Sequence, residues 1–144
     1  MVVLFLFNAG LVYTAAGELN DSPTLFALDM RTDFAKFNDQ EMIAAKWVGA
    51  DASGGIIAAD SFRYFAVYTY APAQARMFGS GGSWADLKPG SYIYLGTPNV
   101  QTGNLVVGLN ILTNLPTELD ARYYVGGSSN IYSNGGAQVY FVNT

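Results

Sequence analysis

Cysteine and histidine are both missing from this 144-residue chain. Without a thiolate or an imidazole, Ser-His-Asp and Cys-His catalysis and thiolate zinc sites are excluded. Charge is scarce as well: Asp, Glu, Lys and Arg make up 12% of the residues, about half the usual share. Seven basic residues against eleven acidic give a formal net charge of −4, which leaves no electrostatic footprint for nucleic acid. No apolar run reaches the roughly 20 residues of a membrane-spanning helix.

What is present is apolar and neutral-polar. The chain is 51% hydrophobic and 15% aromatic, with ten tyrosines and sixteen glycines. Its length is that of one domain, since domains run to about 100–200 residues, and a core of that size needs no disulfide or metal staple. A surface so poor in charge leans towards an extracellular setting, and Asn20-Asp21-Ser22 is an N-glycosylation sequon in a loop-like context. The tyrosines invite a carbohydrate-binding reading, because rings stack on sugar faces and hydroxyls bond to sugar oxygens.

Residues 1–7 form an unbroken apolar run, followed by a second patch at residues 11–13. There is no basic segment ahead of it and no clean cleavage site, so it does not read as a signal peptide. Two readings remain: a buried terminal strand or helix of the domain, or residues 1–16 as the end of a membrane helix in a longer protein. Residues 17–38 read as a connecting segment.

A helix is predicted over residues 39–51, capped by Asn38 or Asp39 and packed through Ile43 and Trp47, with Ser53-Gly54-Gly55 as its stop. Residues 56–59 are a short apolar run suited to a strand buried on both faces. Residues 61–70 fit either helix or strand; a helix capped by Ser61 and ended by Pro72 gives the more coherent α/β unit. Further strands are expected at residues 74–78, 91–95 and 103–108. Residues 130–132 and 137–142 flank Asn134-Gly135, whose tolerance of positive φ predicts a hairpin with Tyr132 near Tyr140. The expected fold is a compact α/β sandwich with a mixed, partly parallel sheet, flanked by helices and closed by a C-terminal β-hairpin.

Among candidate site residues, Asp60 stands at the carboxyl end of the buried strand, where open α/β sheets bind ligands. It would otherwise cap the following helix or pair with Arg63. Asp29, Asp33, Asp39 and Glu41 have no metal-loop spacing and read as solvated surface charge. Gly79-Ser80-Gly81-Gly82 lacks the lysine and context of a phosphate loop. No metal site and no cofactor are implied. Trp84, between glycine-rich segments, is the aromatic candidate for ligand stacking.

The segments at residues 39–48, 56–60, 92–95 with Asn99, and 130–140 resemble, in order, the C-terminal extracytoplasmic region of archaeal polytopic membrane proteins. That group is of unknown function and is similar to the membrane glycosyltransferases that use lipid-linked sugars. The Trp-Trp-Asp-Tyr-Gly motif of the archaeal oligosaccharyltransferase is absent. In such transferases the catalytic carboxylates lie in loops between membrane helices. The resemblance therefore implies a non-catalytic domain that covers or shapes a substrate site, with Asp60, Trp84 and Asn99 as ligand-binding candidates. Its partners would be the membrane-embedded part of the parent protein and a glycan or lipid-linked sugar, with no nucleic acid. A free-standing carbohydrate-binding or cell-surface interaction module is the alternative.

Overall fold

The computed structural model describes residues 37–52, 54–78, 87–109 and 116–143. The amino-terminal run, the sequon at Asn20, Asp29, Asp33 and the loop carrying Trp84 lie outside the described residues.

Helix α1, Asp39–Asp51, has the predicted bounds, and its start is a reciprocal capping box. Asn38 Oδ1 accepts the Glu41 amide at 2.9 Å while Glu41 Oε2 accepts the Asn38 amide at 3.0 Å, so two otherwise orphaned donors are satisfied together. Gly54, at φ +82°, carries the chain out of the helix end. The buried face is Glu41, Ala44, Ala45 and Val48, with Trp47 packed against the same core as expected; the expected contact through Ile43 is corrected. Ile43 is 57% exposed, and Trp47 is half-buried and stacked on Tyr132 with centroids 4.7 Å apart. The reason is close approach. A Cβ on Gly49 would lie 3.1 Å from that of Tyr70, so the face turned to the neighbouring helix admits small residues and Ile43 is turned outward.

Strand β1, Ile57–Ala59, is buried throughout, with Ile57 fully inaccessible. Helix α2, Tyr64–Tyr70, crosses to β2, Ala75–Met77. Both β2 and β3, Tyr92–Leu95, pair with β1 in parallel. After β3 come helix α3, Thr97–Thr102, strands β4, Asn104–Leu109, and β5, Pro116–Asp120, and the short helix α4, Arg122–Val125. Strands β6, Ser128–Ser133, and β7, Gln138–Val142, close the chain as an antiparallel hairpin. The main sheet has the order β2-β1-β3-β7-β6, mixed as expected, and β4-β5 form a separate ribbon.

Strand alternation divides the core in two. Ile57, Ala59, Tyr92, Tyr94 and Val139 face the alanine-rich surfaces of α1 and α2. Ala58, Ile93 and Leu95 face Leu105, Phe78 and Ala121 on the opposite side. This periodicity also corrects the hairpin. A register shift between Asn130 and Tyr132 sets Tyr132 opposite Val139 and Asn130 opposite Tyr140. Tyr132 therefore packs with the helix side and Tyr140 with the other. The connection spans residues 134–137 rather than two residues, because Asn134 Oδ1 accepts the Gly136 and Ala137 amides at 3.2 and 2.9 Å. Gly135 holds the expected positive φ, +86°.

Candidate functional site

The chain steps outward from β1 to β2 and returns past β1 to β3, so strand order reverses between β1 and β3. The crevice beyond the carboxyl ends of such a pair is where open α/β sheets bind ligands. Asp60 follows β1 directly and Gly96 follows β3, which brings Asp60 and Asn99 together at this point.

Asp60 acts as a helix cap. Its Oδ1 accepts the backbone amides of Phe62 and Arg63 at 3.0 and 2.6 Å, so Asp60, not Ser61, caps the turn that leads into α2. Its Oδ2 accepts Asn99 Nδ2 at 2.6 Å. Asn99 in turn donates to the Asn104 carbonyl at 2.9 Å and accepts the Gly96 amide at 2.9 Å. One side chain thus ties β1, the start of α3 and the start of β4.

Beside this pair lies a second carboxylate. Glu41 is 1% exposed, contrary to the expectation of a solvated acid, because its partner comes from 22 residues away. The Arg63 guanidinium approaches Glu41 Oε1 at 3.3 Å and lies over the Phe37 ring at 5.2 Å. Glu41 Oε1 also accepts the Thr97 amide at 2.9 Å. Thr97 Oγ1 receives Asn38 Nδ2 at 2.7 Å and donates to the Gly136 carbonyl at 2.6 Å. The Tyr94 hydroxyl donates to the Glu41 carbonyl at 2.8 Å. Burial pushes the Tyr94 phenol far above its ordinary range, and the nearby Glu41 charge adds to the effect, so Tyr94 is a neutral donor.

Gly96 leaves the space that this cluster fills. A Cβ there would collide with Glu41 Oε1 and with Arg63 Cδ. Among the described residues, no buried side-chain nitrogen or oxygen lacks a partner. Each oxygen of Asp60 and Glu41 thus faces a backbone amide, Asn99 or Arg63. Both carboxylates act as fixed acceptors that join helices to the sheet. The sequence singled out Asp60 and Asn99, but not the Glu41–Arg63 pair. Its available signal was the Asn38-x-x-Glu41 spacing of the capping box.

No helix among the described residues is long and apolar enough to cross a membrane. No curated protein and no solved structure matches the sequence. A family model described as predicted membrane protein (DUF2206) matches residues 1–140, and the chain belongs to that family.

Proposed function

We propose that the chain is a non-catalytic domain on the extracytoplasmic face of a membrane protein resembling the glycosyltransferases that use lipid-linked sugars. There it covers or helps shape the substrate site. The observation that carries this reading is the filled switch-point crevice. The position at which an α/β enzyme of this topology would hold its ligand is occupied by the chain's own Glu41, Arg63, Asp60 and Asn99 side chains, all bonded to one another or to backbone. Membership of a membrane-protein family supports attachment to a membrane, and a surface low in charge supports an outer face.

The test is accessibility in the parent protein. The chain has no cysteine, and Tyr123 is 85% exposed. A Tyr123→Cys parent in intact cells should react with a membrane-impermeant maleimide, measured as the increment over the parent without the substitution. Labelling only after permeabilisation would overturn the reading. The isolated chain should also show no transfer or hydrolysis of lipid-linked sugars, and turnover abolished by Asp60→Asn would assign the chemistry to this domain instead.

A further inference from the structure

Where the end of α3 and the start of β4 meet the end of β5 and the start of α4, the fold forms an open groove of about 440 Å³, lined by Gln101, Thr102, Asn104, Asp120 and Arg122. Open to solvent and lined mainly by polar groups, it suits a ligand held by surface hydrogen bonds rather than one enclosed in an apolar cavity. Its walls are fixed by the fold: Asn99 holds the Asn104 carbonyl, and the Ala121 amide donates to the Gly103 carbonyl at 2.8 Å.

The chemistry of the lining selects among ligand classes. Asp120 grips Arg122 in a fork, with Nε 3.0 Å from both carboxylate oxygens and Nη2 2.6 Å from Oδ2. The two charges cancel, so the pair favours neither a free anion nor a free cation. Yet Arg122 commits only Nε and Nη2, and its side chain is 88% exposed, so Nη1 remains a donor facing solvent. Asn104 Nδ2 donates to Glu118 Oε2 at 2.7 Å, which leaves Asn104 Oδ1 as an acceptor. The Gln101 amide supplies both kinds of group. With Glu118 behind Asn104 the groove carries no net positive charge, and planar donors and acceptors set side by side match a ligand whose groups both donate and accept, which is the property of hydroxyls.

We propose that this groove binds an uncharged polyhydroxylated ligand, a pyranose unit of a glycan, through Arg122, Asp120, Asn104 and Gln101. The site deepens the proposed function and rests on it only for the source of the sugar.

The experiment is amide NMR of the full 144-residue chain titrated with glucose, mannose and galactose, and separately with sodium sulfate. At least one hexose should shift the Gly103, Asn104 and Arg122 amides saturably, with a dissociation constant on the order of 1–10 mM. Arg122→Ala should weaken that binding about tenfold or more, and Gln101→Ala, on the exposed face of α3, should weaken it less while the spectrum stays dispersed. Three results would each overturn the site: no saturable shift from any hexose up to ~50 mM, a stronger response to sulfate than to sugar, or unchanged affinity in Arg122→Ala. Any of these, with Tyr123→Cys still labelled from outside, would leave the domain's placement intact.

Discussion

Two Arg–carboxylate pairs in this fold look alike by residue type and behave as opposites. Arg63–Glu41 is nearly sealed, with side chains 4% and 2% exposed, and its closest approach is a long 3.3 Å. Arg122–Asp120 is short and forked at 2.6 Å, with side chains 88% and 28% exposed. Ranking by geometry alone would make the second the stronger. Burial reverses the order, because a charge left without its partner in the interior cannot be rehydrated. The inner pair therefore belongs to the architecture, and the outer one is free to meet a ligand.

The largest effect should come from breaking the inner pair. Glu41→Ala takes one carboxylate away from the buried Arg63 guanidinium and strips the Asn38 and Thr97 amides of an acceptor, at a cost of about 3–5 kcal/mol. Urea unfolding of the purified chain measures it. Replacing both members, Glu41→Leu with Arg63→Met, should cost less than Glu41→Leu alone, since the buried guanidinium is removed together with the carboxylate that faces it. If the double variant were the less stable, the burial argument would fail.

Next in size is Gly96→Ala, which pushes a methyl into Glu41 and Arg63. Overpacking of this kind costs about 1–3 kcal/mol. Gly135→Ala makes a useful contrast. Its Cβ would meet nothing nearer than Gln40 Nε2 at 3.8 Å, but φ is +86°. The expected loss is about 1–2 kcal/mol from left-handed backbone alone. Combining Gly96→Ala with Glu41→Ala should recover part of the first loss, whereas Gly135→Ala should add independently.

The same contrast of near and far partners explains what the sequence revealed. The bounds of α1 were legible because the capping box and the Gly54 exit are local, and β1 and β3 because continuous apolar runs mark strands buried on both faces. The hairpin was legible from Asn134-Gly135. The inward face of α1 was not, since large apolar residues were assumed to point inward whereas close helix contact selected Ala44 and Ala45. Strand β5 and helix α4 were missed because residues 116–125 carry no period of their own and gain their form by packing on β4 and the sheet. At the site, Asp60 was legible from its position after a strand. Glu41 was not, because its contacts span 22 and 56 residues.

Tyr94 offers a smaller test with a pH signature. Tyr94→Phe removes the hydrogen bond to the Glu41 carbonyl, worth about 1 kcal/mol. Its folded-state pKa is raised, chiefly by burial. The stability it contributes is thus complete below the unfolded tyrosine value of about 10 and is lost as pH rises above it. Unfolding midpoints between neutral and strongly alkaline pH should fall less steeply for the variant than for the parent chain. An unchanged alkaline slope would mean that Tyr94 ionises within the fold.

The smallest effect on stability should come from the outer pair. Asp120→Asn and Arg122→Ala each remove a short, forked contact, yet both groups are solvated and water replaces what is lost. Hydrogen bonding to Arg122 holds the Asp120 carboxyl below its ordinary range. Its folded pKa is depressed, so any contribution is present above the unfolded value and disappears as acid protonates the folded carboxyl. Neither substitution should shift the urea midpoint at neutral pH, while Arg122→Ala should weaken the hexose response of the groove about tenfold or more. A large loss of stability in Arg122→Ala would make the outer pair structural like the inner one, and the proposed division of labour between them would not stand.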